Sequence, residues 1–592
     1  MKVTGVRKLA AWTLLSVAGL AHAIDFTPHG TQPGLNYSMV GAASCNGCHQ
    51  DVSQPDYYAF MPWGSWSGSL MANATRDPLF WAALDIANND FPGAGDFCLR
   101  CHTPNGWLAG RVKNGIGGED GCDLTGDLIS ADSSANDYQG VSCQFCHRLD
   151  PEGPAGEAHR TGGDFWLDDE DCDGAGEPCR KGPYDYTDGG GSTPPHAWVK
   201  SSFVAEGQFC GTCHDVSSPE TDEGVLKTLI LADGTDTGIA FPVERTYSEW
   251  QQSLFADLIF DDRLGDQSTT APAISKGQTC QSCHMPVSED PDALACVFDA
   301  PGRRTGELPV HRLVGGNTWI PQVLKGEYGG PGQLDRETAF DNTTQWATEL
   351  LQSAAELDVT LGTIAADVLP VTVKVTNLSG HKLPTGYAEG RRMWIHVEAR
   401  DNNDAVIFES AAYNGATGEL TIDGQAKLYE VVHGEWDSDS STCVTHDGSN
   451  RRQFHFVLSD CIALDNRIPP LGFTGANDFE TQPVGYSYPS NPDGTLVNYD
   501  ETSYAIAVPA ATPLPVTVTA KLYFQTSSRE YIEFLRDQAI DNSFPSENTM
   551  CDRTWSDGPA DKSRGQFMYD LWEAYDRSPP VEMASSSEDT AP

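Results

Sequence analysis

Five times between residues 45 and 284 the chain sets two cysteines three positions apart and follows the second at once with a histidine. The segments are Cys45-Asn-Gly-Cys48-His49, Cys98-Leu-Arg-Cys101-His102, Cys143-Gln-Phe-Cys146-His147, Cys210-Gly-Thr-Cys213-His214 and Cys280-Gln-Ser-Cys283-His284. Two thiols one helical turn apart share a face. They can add to the two vinyl groups of one porphyrin, with the adjacent histidine beneath the iron as proximal ligand. One copy alone would also suit a zinc half-site or a redox dithiol. Zinc, however, has no need of a histidine next to the second cysteine every time. The pattern therefore predicts five covalently bound haem c groups, with His49, His102, His147, His214 and His284 as proximal ligands. Flat pigment then replaces much of the aliphatic core in this half, and loops rich in Gly and Asp can wrap it.

Composition narrows the setting. At 592 residues the chain should split into two or three domains. Its 84 Asp+Glu against 37 Lys+Arg give a formal charge of −47. Such a chain repels nucleic acid and anionic membrane surfaces, and suits a soluble protein or one that meets a basic partner. Lys2, Arg7 and Lys8 precede the apolar run "LAAWTLLSVAGLA", which ends at Ala21-His22-Ala23. This predicts a signal peptide over 1–23 and a mature protein, periplasmic or at the cell exterior, from Ile24. No later segment is long and apolar enough to predict a membrane span.

The second axial position of each iron needs its own donor: His, Met or none. "WSGSLMA" (Trp66 to Ala72) returns as "WQQSLFA" (Trp250 to Ala256), with Met71 in one copy where Phe255 stands in the other. A thioether can bind iron; a phenyl ring cannot. Met71 is also placed to fill a gap in core packing. It lies just before a helix expected to be capped by Asp77, with Pro78 in its first turn and Leu79, Phe80, Ala83, Ile86 and Ala87 as buried stripe.

Several segments resemble the large bacterial multihaem c-type cytochromes, with a cytochrome c-554-like haem region and a C-terminal β-domain. They are "GSLMANATRDPLFWAALDIAN", "FCLRCHTPNGWLAGR", "VSCQFCHR", "FCGTCHDVSSPE", "CQSCHMP" and "NLSGHKLPTGYAEGRRMW". The resemblance implies that the slot held by Met71 and Phe255 often carries a distal histidine. In this chain either another histidine serves the second iron or one haem is five-coordinate. The candidates are His196, fourteen residues before Cys210; His311, in a segment resembling a recurrent H-x-x-x-G ligand run; His381, in a loop between two strand-like runs; His159; and, more weakly, His29.

Past His311 the pattern changes. "GEYGGPGQLD" (326–335) reads as a linker, and Trp346, Leu350, Ala354 and Leu357 stand at helical spacing over 342–357. Alternating runs then predict strands: "VTVKV", "MWIHVEA", "AVIFES", "KLYEVV", "QFHFVL", "YAIAV" and "VTVTAKLYF". The expected architecture is multidomain. It has a signal peptide (1–23), a loop-rich, α-helical pentahaem region (24–325), a linker and helix (326–358), an antiparallel, immunoglobulin-like β-sandwich (359–527), and C-terminal helices with a disordered tail (528–592). His396 and His455 are expected on strand faces. The sandwich serves as scaffold and docking surface, or its His381 loop reaches across to a haem iron.

Seven cysteines lie outside the motifs. Cys172 with Cys179 and Cys443 with Cys461 can pair, leaving Cys122, Cys296 and Cys551. Asp169, Asp171 and Asp173 resemble half of a calcium loop, but Arg180 stands where the bidentate Glu belongs.

The expected function is electron transfer along closely packed haems between redox partners. The alternatives are a haem oxidoreductase with one five-coordinate iron acting on a small nitrogen or sulfur compound, and a subunit of a self-assembling extracellular cytochrome. Every motif ends in His, and none in the C-x-x-C-K that resembles the active haem of nitrite-reducing relatives.

Overall fold

The computed structural model describes residues 35–591 except 114–120, 187–192, 258–278, 299–307, 545–550, 552–561 and a few shorter stretches (52, 54, 92–93, 154–155, 157–160, 219, 222–223, 226 and 292). The expected signal peptide, His29 and His159 lie outside the described residues. The chain is a mixed helix-and-sheet, multidomain protein with many strands. Among the described residues no helix is long and apolar enough to cross a membrane.

Three helices start with a side-chain cap and build one core. Asp77 accepts from the N–H of Leu79, Ser528 from Tyr531 and Ser563 from Gln566, each satisfying a donor the helix leaves open. From these helices, Pro78–Asp90, Arg529–Asp541 and Arg564–Ala574, the side chains of Trp81, Leu84, Ile532, Leu535, Met568 and Trp572 pack into one cluster. Arg564 crosses the interface to a buried ion pair with Asp85 at 2.6 Å and lies over Trp81. The disulfide Cys122–Cys551 spans 429 residues and ties the same two ends of the chain. Cys172–Cys179 and Cys443–Cys461 pair as the spacing suggested. The buried Cys296 thiol donates toward the Phe298 carbonyl.

Period-two alternation produces two antiparallel sheets with a shared interior. Val368–Asn377 pairs with Ala355–Leu361 on one side and Tyr499–Ala507 on the other. Facing it, Arg392–Arg400 pairs with Val406–Ser410, Lys427–Tyr429 and Thr517–Gln525. Val371, Val373 and Val375 meet Ile395, Val397, Ala520 and Leu522 between the sheets.

Several expectations fail here for physical reasons. The tail is a strand: Val581–Asp589 pairs along Thr517–Gln525. The open edge of that strand supplies backbone partners, Met583 anchors the buried side, and Ser585 and Ser587 face water. The helix expected over 342–357 runs instead over Glu337–Ser353, and Leu357 belongs to the next strand. The expected linker begins inside the helix Ile320–Tyr328. His455 is not in a strand: "QFHFVL" folds as a turn whose Phe454 is buried in the helical core. Its imidazole bonds Asp90 at 2.8 Å. His396 does stand on a strand, facing Glu409.

The division expected at residue 325 is also crossed. One five-stranded sheet takes Asp236–Ala240 and Thr228–Ile230 from the motif-bearing half, and Cys461–Asp465, Val431–Asp437 and Thr442–Val444 from the other. The two halves share a sheet, a helical core and a disulfide.

Candidate haem centres

Each motif folds as a short helix or turn that puts its thiols on one face. The carriers are Ala43–His49, Ala94–His102, Cys143–Cys146, Gly207–Gly211 and Cys280–His284. The last is closed by a capping box between Thr279 and Ser282. Cysteines of different motifs lie within electrostatic reach of one another: Cys45 with Cys143, Cys101 with Cys213, and Cys280 with Cys210. Cys146 of the third motif in turn acts on Cys210 and Cys213 of the fourth, so the five motifs lie together in one region.

The motif histidines are oriented through Nδ1, which leaves Nε2 free to meet a metal. Four of them meet a backbone carbonyl: His49 that of Ala295 (2.7 Å), His102 that of Ala74 (3.4 Å), His147 that of Lys181 (2.6 Å) and His284 that of Val314 (2.6 Å). His214 instead meets a carboxylate oxygen of Glu244 at 3.3 Å. Burial pushes His102 and His284 down to about 4 and His311 to about 3, so these rings are neutral and can donate a lone pair at neutral pH. Burial would lower His214 too, but the Glu244 hydrogen bond and charge reverse this and raise it to about 9. Its side chain is 50% exposed, so water weakens that pull.

Three candidate distal histidines stand opposite motif histidines. Ring centroids are 6.4 Å apart for His49 and His196, 6.3 Å for His147 and His311, and 6.4 Å for His284 and His381. Two imidazoles on one metal should stand ~6.3 Å apart, from two metal–nitrogen bonds of ~2.0 Å and ~1.15 Å from each nitrogen to its ring centre. The residues present therefore fit an iron held between each pair.

The segments that bring these rings in are shared between centres. His196 precedes the strand Trp198–Lys200, whose parallel partner Arg180–Gly182 supplies the carbonyl that orients His147. The His311 N–H donates to the Ser65 hydroxyl oxygen. Two residues on, Leu313 at φ +48° turns the chain so that its N–H reaches the His284 carbonyl, and Val314 accepts from His284 Nδ1.

His381 arrives from the sheet-rich half, on the loop after Val368–Asn377. Buried Asn377 donates to the carbonyls of His381 and Ile468 and accepts from Ser379. A buried ionic network then fastens the loop to the other half. Glu249, in the helix Thr246–Gln251, accepts from the Lys382 N–H (3.2 Å) and the Thr385 hydroxyl (2.7 Å), and pairs with Arg467 (2.9 Å). Asp465 pairs with Lys382 and Arg467, each at 2.7 Å. Burial alone would raise the Asp465 carboxyl, but these two cations hold it well below the usual range.

Phe255 is buried beside this loop: a Cβ on Gly380 would lie 3.3 Å from its ring and 3.2 Å from Trp250. The phenyl slot is thus a wall behind the His381 loop. Met71 packs partly buried against the helical core, and its carbonyl accepts from Val141. Phe80, expected in the buried stripe, stacks on His102 at 3.8 Å and 6°.

Asp169 accepts from the N–H groups of Asn36 and Tyr37 and pairs with Arg148 at 3.0 Å, while Asp171 accepts from the Gly176 N–H. Among the described residues no cluster of acidic, His or Cys side chains of that kind could hold a cation, Asp173 included. Nearby cations and amides have taken up the carboxylates of Asp169 and Asp171.

Sequence reasoning did not find Glu244, Glu249, Asp465 or Arg467. Glu249 had a faint signal, since it stands immediately before the repeated Trp segment; Asp465 and Arg467 had none.

No protein-family model matches the chain, and no curated protein matches it. Among solved structures the chain is similar to a penta-heme cytochrome c552 from Thermochromatium tepidum. The identity is 15% over 93% of this chain and 99% of that one, with a TM-score of 0.46. A likeness of that degree does not establish a shared activity.

Proposed function

We propose that the protein is an exported pentahaem c-type cytochrome that carries electrons between redox partners in the periplasm or at the cell surface. The observation that carries this reading is the set of three facing imidazole pairs, each joining a motif histidine to a histidine far away in sequence. Bound covalently, haem supplies a one-electron iron couple.

The chain's own residues divide the remaining work. The ten motif cysteines tether, and His49, His102, His147, His214 and His284 hold from the proximal side. His196, His311 and His381 close the opposite side of three centres, which favours low-spin carriers over exchangeable sites. Backbone carbonyls fix the ring orientations, and burial keeps His102, His284 and His311 neutral. Met71 acts as packing in this reading. The sheet-rich half, of immunoglobulin-like sandwich type, contributes a ligand as well as scaffold. The strongly acidic surface suits basic redox partners.

The test is the mass and spectrum of the protein made in a host able to attach haem c. The mature chain should carry five haem masses, with peptides tethered at each cysteine pair, and show at least three low-spin ferric signals. A bare polypeptide mass without Soret absorbance would end the proposal.

A further inference from the structure

Among the five motif histidines, His214 differs in what its Nδ1 meets. Four rings donate to a neutral backbone carbonyl, and His214 faces the Glu244 carboxylate. The arrangement is built into the fold. Glu244 ends the strand Pro242–Glu244, which pairs antiparallel with Val216–Ser217, so that Glu244 stands opposite Val216, two residues past His214. The Thr246 hydroxyl donates to the same carboxylate oxygen at 3.1 Å and touches the Thr385 hydroxyl at 3.0 Å. The Glu244 side chain is only 16% exposed. In that setting water screens its charge poorly, and the nearby Arg391 guanidinium balances only part of it.

A carboxylate on the outer nitrogen of a metal-bound imidazole raises the basicity of the ring, and a carbonyl does so far less. We propose that Glu244 is a positioning residue that polarises His214 and makes it a stronger donor to iron than the other four motif histidines. Stronger donation favours the ferric state and lowers the potential of that centre. The inference rests on the reading of His214 as a haem ligand.

The place of this centre gives the effect a consequence. Gly163 donates to the Thr212 carbonyl and abuts Cys101, so the fourth motif adjoins the second. Gln281 donates to the carbonyls of Val204 and Glu206, and Cys280 lies 3.9 Å from the Gly207 carbonyl, so the fourth also adjoins the fifth. Glu244 therefore raises the energy of an electron held between two neighbouring centres, making it a step that spaces them.

The experiment is a potentiometric titration of the full-length, haem-loaded protein, followed by electron paramagnetic resonance, with Glu244→Gln and Glu244→Asp. The Gln variant keeps an acceptor and removes the charge. One couple of the five should rise by about 59 mV, a tenfold change for one electron, with a shift in one ferric signal only. The Asp variant should retain part of the wild-type value. Five couples and five signals unchanged in a fully loaded Glu244→Gln protein would overturn the inference. Should that variant fail to load, Thr246→Val removes a donor from the carboxylate and should move the same couple the other way; no movement overturns the inference equally. Wild-type peptides lacking haem at Cys210 and Cys213 would instead sink the haem reading beneath it.

Discussion

In the first of the two Trp-x-x-Ser-Leu turns, Ser69 accepts from the Ala72 N–H and the Trp66 indole donates to the Val141 carbonyl. In the second, Ser253 accepts from the Phe255 N–H, and Trp250 presses against Gly207 of the fourth motif helix. The local fold is alike, but the neighbours differ. Met71 adjoins the helical core within its own half, and Phe255 backs a loop from the other half. A repeated turn thus braces one centre from within and another across the boundary between halves. The difference teaches that one repeated turn can serve two kinds of neighbour, its variable side chain filling a core in one copy and packing behind the His381 loop in the other.

The strongest break of this comparison is His381→Ala. It should convert one low-spin ferric signal to high-spin and shift one potential on the order of 100 mV, some fiftyfold at about 59 mV per tenfold, leaving the rest in place. An unchanged spectrum would remove His381 from the ligand set.

Phe255→Ala comes next. Emptying a buried phenyl site should cost about 3–5 kcal/mol in denaturant unfolding. The His381 signal should broaden or divide as its loop loses the wall. A clean, unchanged signal would show that the loop stands without Phe255.

A smaller effect should appear in acid. The Asp465 carboxyl is held low in the fold, so its contribution is present above about pH 4 and lost as the pH falls toward its folded-state value. The His284–His381 centre should therefore lose its low-spin signature before the other two pairs as pH is lowered. Asp465→Asn should weaken that centre already at neutral pH. Equal acid sensitivity at all three pairs would argue against the network.

The smallest effect belongs to the first copy. Met71→Leu, a volume-conserving change, should cost less than about 1.5 kcal/mol and move no haem potential. A shifted couple would return Met71 to the ligands and reverse the contrast between the two turns.

Much of this was legible in the chain. Local spacing sufficed for the motif cysteines and histidines, for the helix capped by Asp77, for most sandwich strands and for the pairs Cys172–Cys179 and Cys443–Cys461. His196, His311 and His381 were legible only as candidates, because a lone His carries no periodic signal and only the ring it faces points to a role. The tail strand was hidden because "MASSSEDTAP" has the composition of a solvated end, and its order comes from an edge supplied by Thr517–Gln525. The link between Cys122 and Cys551 had no local signature at all.

What the residues settle alone is the chemistry that operates within a turn of backbone: two thiols and an imidazole three and four positions apart, a cap, an alternating strand. Such features depend on bonds the chain makes with its near neighbours. Which imidazole faces which, which proximal ring meets a carboxylate, and which half braces which loop were decided by tertiary packing. Those relations join residues from thirty to more than a hundred and fifty positions apart, where sequence spacing carries no distance information and only the folded geometry brings the groups together.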